Sequence, residues 1–378
     1  MTIKLLQSTI VQSNYAIIYL SNKKEIIQMS EKMKAVLYYG PGHLEIGEAD
    51  KPTAGPGEVV IKVVSATTCG TDLKRYRRGY RGDEEGKAVV FGHECAGTVY
   101  EVGEGVTKFK VGERVVAHNS APCHQCYWCK KGQYSLCENL TFAPGAWAEY
   151  RLIPAPIVQQ NMFHIPDNVS YAMAAIVEPC SCAVYNIADA GIAMQDYVCV
   201  NGCGPLGLMQ IIAAKQRGAN VIATDMAPLR LEAAKKCGAD IVIDLKTVED
   251  QVQAVRDCTP DKRGVDCAID CTGYPEVWEM NVNMVRKGGT VMEFGGCKGG
   301  STVTFDCARL HYDQLTIKGL FHTTPDIVRT TFDMICNGLV PEDVFIGGTY
   351  PLSKAQEALD SHGRGEVVKN EIRCDIFE

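Results

Sequence analysis

Four cysteines fall within fifteen residues of the stretch "APCHQCYWCKKGQYSLCENL" (121–140): Cys123, Cys126, Cys129 and Cys137. The first three are three residues apart, and the fourth follows eight later, after a Lys-Lys-Gly turn. Free cysteines commonly serve as small buried hydrophobes, and this chain has 18 of them. Such residues sit among apolar neighbours, whereas these four sit among His, Gln, Lys, Gly, Ser, Glu and Asn. Disulfides are a second reading, but no secretory signal is discernible, so a reducing compartment is expected. A metal site is the third. Zn²⁺ takes four thiolates tetrahedrally, and Cys-x-x-Cys lets one tight turn present two sulfurs to one ion. Spacing and polar context favour the metal. Four thiolates leave no open coordination position, so a zinc here is structural and the chemistry must lie elsewhere.

A second pattern is "VCVNGCGPLGL", with Gly202-x-Gly204-x-x-Gly207 spanning Pro205 and Leu206. The pattern alone is weak. Here it follows an apolar, strand-like run and opens a helical one, and Asp225 closes the next strand eighteen residues after Gly207. In that context it reads as a dinucleotide site. Gly202 permits the tight turn, Gly204 lets the backbone approach a pyrophosphate, and Gly207 lets the helix pack on the strand. The helix N-terminus offers free N–H groups to phosphate. Asp225 is expected to accept hydrogen bonds from the adenosine ribose and to repel a 2′-phosphate, so NAD is expected over NADP. The nearest arginine after it is Arg230, and Thr272, after a later strand, joins the cofactor set. A glycine-rich turn without ligand is the alternative.

Three further pieces carry metal-type residues. "TTCGTD" holds Cys69, Thr71 and Asp72, "FGHECAG" holds His93 and Glu94, and "VEPCSCA" holds Glu178. Each has a plain structural reading taken singly: a core thiol, a satisfied histidine, a surface glutamate before proline.

The elements that must position these residues fall into two textures. Residues 33–155 are rich in short β-branched runs bounded by Gly and Pro, such as "EVVIKVVSATTCG" and "AGTVYEVGEGV", which read as a small barrel or curled sheet. From about 183, strands ("DYVCVNG", "NVIATD", "ADIVID", "GVDCAIDCTG", "GGTVMEFGG", "LTIKGLF") alternate with helices ("GPLGLMQIIAAKQRG", "APLRLEAAKKCG"). That is the order of a doubly wound parallel sheet. The tail from about 325 is expected to return to the first domain. Residues 1–32 read as an extension, expected to be poorly ordered, or as sequence before a later start at Met29 or Met33. At 378 residues, two domains are the default. No apolar run approaches the ~18–20 residues of a membrane span. A net charge of −7 argues against nucleic acid as the main partner.

Taken together, the four-thiol cluster, the glycine loop and the three metal-type pieces resemble the zinc-dependent medium-chain dehydrogenases of the sorbitol/threonine dehydrogenase group, over residues 33–378. The resemblance implies an α/β protein: a GroES-like β-rich catalytic domain (33–182) with a structural-zinc lobe, a Rossmann doubly wound parallel-sheet domain (183–324), and a C-terminal return (325–378). It implies that Cys69 and His93 bind a catalytic zinc with Glu94 as third ligand, and that Glu178 binds directly or through water. It implies that Cys123, Cys126, Cys129 and Cys137 form the structural site. Asp72 would orient His93, Thr71 would begin a proton relay, and Arg75, Tyr76 and His322 would shape the substrate pocket. The chain departs from the family at Lys74, where many relatives end the relay with histidine, and at Cys180 and Cys182 beside Glu178. Either thiol could compete for zinc, but core packing is expected for both.

The expected activity is reversible oxidation of a secondary hydroxyl of a polyol or cyclitol, with NAD and two zinc ions, in a cytoplasmic homodimer or homotetramer. The rivals are an L-threonine-type amino-alcohol dehydrogenase, a non-catalytic NAD/zinc-binding sensor, and a zinc-ribbon nucleic-acid binder. The acidic balance and glycine loop speak against the last. A complete ligand set with an open position speaks against the sensor.

Overall fold

The structure is a computed structural model that describes residues 31–80, 83 and 86–378. The expectations for the N-terminal extension therefore fall, but for its last two residues, outside the described residues.

The first sheet is built on Val59–Thr67, whose residues are buried almost throughout because both of its edges are paired. One edge takes Cys95–Val102 antiparallel. The other is shared: Tyr150–Ile153 pairs with Val59–Lys62, and Lys369–Arg373 pairs with Ser65–Thr67. Outward from these lie Arg114–Ala117 and Met162–His164 on one side and Ile346–Pro351 on the other. The C-terminal strands thus complete a sheet begun some 300 residues earlier. Val59, Ile61, Val63, Phe91, Trp147 and Ile153 fill its core. A two-stranded ribbon, Ser120–Ala121 with Thr141–Phe142, closes the base of the four-cysteine lobe.

The second sheet has six parallel strands in the spatial order Ile241–Asp244, Asn220–Asp225, Tyr197–Asn201, Val265–Asp270, Val285–Glu293, Thr316–Gly319. Helices Pro205–Gln216, Pro228–Lys236, Gln251–Asp257 and Pro275–Met284 alternate with the strands. The strand order reverses between Tyr197–Asn201 and Val265–Asp270, and a crevice opens at the carboxyl ends of parallel strands at such a point. Residues buried on both faces, such as Val198, Cys199 and Val200, explain why these segments read as continuous apolar runs. The helix Val177–Asp189 links the two sheets. Its Val184 and Ile187 share one core with Ala96 and Val116 of the first sheet and Val198 and Val200 of the second. Among the described residues no helix is long and apolar enough to cross a membrane.

Candidate active site

Cys69 ends the Thr67-Thr68-Cys69 exit from the central strand and caps the helix Gly70–Arg78, with extended backbone (φ −130°, ψ 151°). Asp72, in the first turn of that helix and buried, accepts the Cys69 N–H on Oδ2 at 3.2 Å. Its other oxygen, Oδ1, lies 2.8 Å from His93 Nδ1. One carboxylate therefore fixes the backbone of one candidate ligand and the ring of another, leaving His93 Nε2 free to face the centre. His93 follows Gly92, whose backbone is left-handed (φ +79°) and where a Cβ would stand 2.2 Å from Trp147 Cδ1. Only glycine brings the backbone this close to the indole.

The ligand atoms of Cys69, His93 and Glu94 all lie within 4.8 Å of one another. Thiolate, imidazole and carboxylate at this spacing suit zinc and leave a fourth position. Glu94 is wholly buried and paired with the equally buried Lys369, with Nζ 2.8 Å from Oε2 and 3.1 Å from Oε1, and it also accepts from the Thr67 hydroxyl. Burial pushes the Cys69 thiol up, and the Glu94 carboxylate adds to it. Burial disfavours the charged form of His93, yet Asp72 holds the ring well above its ordinary range. A cation bound there would have to displace the protons these shifts retain.

Glu178 sits in the first turn of Val177–Asp189, accepts from Asn119 Nδ2 at 2.8 Å, and places Oε2 3.8 Å from His93 Nε2. Burial raises its pKa. His322 stands in a left-handed backbone (φ +63°), with its Nε2 bonded to Ser120 Oγ and its ring 5.8 Å from Phe142. Burial, with the His93 charge, drives it down to about 4, so the ring is neutral at physiological pH. Thr71 and Lys74 are exposed one turn apart on the helix Gly70–Arg78, and Lys74 Nζ lies 3.5 Å from Gly296 O of the second sheet's loop. Arg75 and Tyr76 are engaged elsewhere. Arg75 pairs with Asp83 at 2.5 Å and lies over the Tyr38 ring, while the Tyr76 hydroxyl donates to Gly42 O at 3.2 Å. Cys180 packs in the shared core, whereas Cys182 is half-buried beside Glu178.

In the lobe, the sulfurs of Cys123, Cys126, Cys129 and Cys137 also lie within 4.8 Å of one another. The Cys126–Cys137 separation of 3.9 Å is far beyond a disulfide's ~2.05 Å, so these are four free thiols round a common centre. The N–H groups of Gln125 and Cys126 point at Cys123 Sγ and bring its pKa down to about 6.

At the glycine loop, Gly202 is left-handed (φ +92°) and a Cβ on Gly207 would meet Gly202 O at 1.9 Å, so helix Pro205–Gln216 abuts the turn. A Cβ on Gly204 would meet only open space, the room a pyrophosphate would fill. Asp225 lies at the loop, but its carboxylate is engaged: Oδ2 accepts from Cys203 N at 2.8 Å, and Oδ1 accepts from Met226 N and Ala227 N. Arg230 Nη1 approaches Asp225 Oδ2 to 3.9 Å. Thr272 lies against Gly202 and bonds Asp270 through both its N–H and its hydroxyl.

Lys369, Thr67 and Asn119 were not found from sequence. Lys369 lies 275 residues from Glu94 and in no motif. The one available signal was a lysine opening the run "KNEIRC" that reads as a strand.

Comparison with known proteins bears directly on this arrangement. Residues 55–167 match the family model for an alcohol dehydrogenase GroES-like domain, and residues 205–337 match that for a zinc-binding dehydrogenase. An erythritol/L-threitol dehydrogenase of Mycolicibacterium smegmatis is 35% identical over 361 residues, covering 90% of this chain and 98% of its own. An L-threonine 3-dehydrogenase of Pyrococcus horikoshii is 38% identical over 299 residues, covering 77% and 84%. Among solved structures, a zinc-binding dehydrogenase of Sinorhizobium meliloti bound to NADP superposes with a TM-score of 0.83 at 26% identity, covering 91% of this chain and all (100%) of that one.

Proposed function

Because the chain belongs to the zinc-dependent medium-chain dehydrogenases, we propose that it oxidises a secondary hydroxyl of a polyol or cyclitol to the ketone, reversibly, with NAD. The observation that carries the reading is the Cys69–His93–Glu94 centre with a second carboxylate, Glu178, at its rim. Carboxylates rather than further thiolates around the ion suit a substrate presenting several hydroxyls. Likeness to a tetritol dehydrogenase over nearly its whole length supports the same substrate class.

Cys69, His93 and Glu94 would hold the catalytic zinc, and the loop Gly202–Gly207 with Asp225 and Thr272 would hold the dinucleotide. When bound, zinc makes a hydroxyl acidic near neutral pH and the nicotinamide accepts hydride. The chain's residues do the rest. Asp72 keeps His93 in the tautomer that offers Nε2. Thr71, exposed beside Cys69, takes the hydroxyl proton and passes it outward. Lys74 cannot accept a proton while charged, but it favours an anion nearby, and water takes the proton from there. Glu178, held by Asn119, would add negative charge beside a metal held by Cys69, His93 and Glu94. Asp225 favours NAD over NADP. The approach of Arg230 to the same carboxylate tempers that preference, since a guanidinium there offsets the charge a 2′-phosphate would meet.

The threonine-type amino-alcohol reading is kept as a second, on the 38% identity to a threonine dehydrogenase over 77% of the chain. NADH formation against tetritols, pentitols, hexitols, inositols and L-threonine tests both. Turnover confined to the amino alcohol would replace the first reading with the second, and no turnover with any of them would overturn both. The same reading places the enzyme in the cytoplasm as a homodimer or homotetramer.

A further inference from the structure

Outside the Cys69–His93–Glu94 centre and the four-cysteine lobe, the described residues hold a third cluster of metal-type donors. A carboxylate oxygen of Glu178, the Cys182 sulfur and a ring nitrogen of His322 all lie within 4.8 Å of one another. Glu178 and Cys182 are four residues apart on the helix Val177–Asp189, so both side chains leave the same face one turn apart. His322 reaches them from the loop after the last strand of the second sheet, Thr316–Gly319. Its left-handed backbone is costly for a side chain of this size, and its bond to Ser120 fixes the ring. Cys182 and His322 are half-buried, and Glu178 is buried but for 11% of its side chain, so the cluster meets solvent through Cys182 and His322.

We propose that Glu178, Cys182 and His322 form a second divalent-metal station for soft and borderline ions such as zinc and cadmium, which shares Glu178 with the catalytic centre and inhibits when filled. The inference rests on the catalytic-zinc reading above. The donor set is mixed sulfur, nitrogen and oxygen, which selects zinc-like ions over magnesium or calcium. Glu178 has one oxygen 3.8 Å from His93 Nε2, so its carboxylate can bridge two ions, as carboxylates do in two-metal sites ~3.5–4 Å across. Binding is a proton exchange: the Cys182 S–H bond breaks, a sulfur–metal bond forms, and one proton leaves to solvent. Two dications facing each other across one carboxylate repel, so the station fills after the catalytic centre, at excess metal. Once filled, it draws Glu178 from the catalytic ion and leaves a cation at its rim.

The test is cadmium titration of metal-depleted full-length chain, following thiolate-to-cadmium absorbance and bound metal per chain. The first two ions engage five thiolates, four in the lobe and Cys69. The third is expected to add the band of one more, about a fifth of the earlier amplitude. Cys182→Ala should remove that increment, and His322→Gln should raise the dissociation constant of the third ion by at least about tenfold, since outer partners alone change metal affinity by ~10–100-fold. In parallel, excess zinc should depress wild-type NADH formation and spare Cys182→Ala, each normalised to its own rate at limiting zinc. A wild-type titration that ends at two ions, or a Cys182→Ala chain that keeps the third increment, overturns the proposal. Cys69→Ser separates the two readings. An unchanged band for the first two ions in that variant would sink the catalytic-centre assignment, while the Cys182-dependent increment would still decide this one.

Discussion

Replacing Lys369 with methionine leaves Glu94 as a buried carboxylate without its cation. Both side chains of the pair are 0% exposed, and the Nζ–Oε2 distance is 2.8 Å. Removing one partner of such a pair costs about 3–5 kcal/mol, because a desolvated charge is left uncompensated. The Thr67 hydroxyl still donates to Glu94, so the lower end, about 3 kcal/mol, is expected. At ~2–4 °C per kcal/mol for chains of 150–250 residues, and less for longer ones, the melting temperature of the metal-depleted protein should fall by about 5–10 °C. A zinc ion bound by Glu94 supplies the missing positive charge. The same substitution should therefore cost the zinc-loaded protein much less, and the temperature gained on adding zinc should be larger in Lys369→Met than in wild type. Thermal unfolding of both proteins, each with and without zinc, reads this directly. Adding Glu94→Gln to Lys369→Met should recover most of the loss without metal, because the amide needs no counter-charge. An equal loss with and without zinc would refute Glu94 as a ligand, and a loss below about 1 kcal/mol would refute the buried-pair energetics. The pH dependence has a fixed sign. Burial opposes the ammonium, but Glu94 and Cys69 raise the folded-state pKa of Lys369 above its ordinary value. The stabilisation is then fully present below the ordinary lysine pKa and is lost as pH rises through the raised one.

Elemental analysis of protein freed of excess metal should find two zinc ions per chain. Cys126→Ser should chiefly lower the melting temperature, whereas Cys69→Ser should abolish turnover with the fold retained by circular dichroism. Thr71→Val should lower kcat by about 10²–10⁴-fold, the usual scale of acid–base assistance. Lys74→Ala should cost far less, and equal losses would make lysine an obligate relay member. Asp225→Ser should narrow the NAD/NADP ratio of kcat/KM, and a wild type that already uses NADP as well as NAD would show that Arg230 has cancelled the carboxylate's charge.

Local signals carried most of the fold. The strands of the parallel sheet announced themselves as apolar runs alternating with helical ones, because the inner ones, Tyr197–Asn201, Asn220–Asp225 and Val265–Asp270, are buried on both faces. The glycine spacing and the four-cysteine lobe were legible for the same reason, since turn chemistry and ligand spacing are written within about fifteen residues. The proposed catalytic centre draws on three distant segments. Spacing alone gave each of Cys69, His93 and Glu178 a dull meaning, and only their coincidence with the other motifs joined them. What no local pattern carries is a partner chosen by tertiary pairing. Lys369 meets Glu94 because Lys369–Arg373 pairs with Val59–Thr67, and Asn119 meets Glu178 across 59 residues. Side-chain direction was equally hidden. Arg75 and Tyr76 lie on the helix that carries Thr71, but they turn to Asp83 and Gly42.

The shared edge of the central strand sets an order of events during synthesis. Every strand of the parallel sheet lies between residues 197 and 319, so that domain has all its pairing partners while the chain is still growing. The first sheet does not. Its edge at Ser65–Thr67, just before Cys69, stays open until Lys369–Arg373 arrives, and Glu94 waits 275 residues for its cation. A nascent chain stalled before residue 369 would therefore present a finished nucleotide-type domain beside an incomplete metal-binding one, with an acidic group buried alone and a strand edge exposed to other chains. On the proposed ligand set, zinc offered at that stage would stand in for the absent lysine, and metal supply during translation would then bear on how much of the chain reaches its folded form.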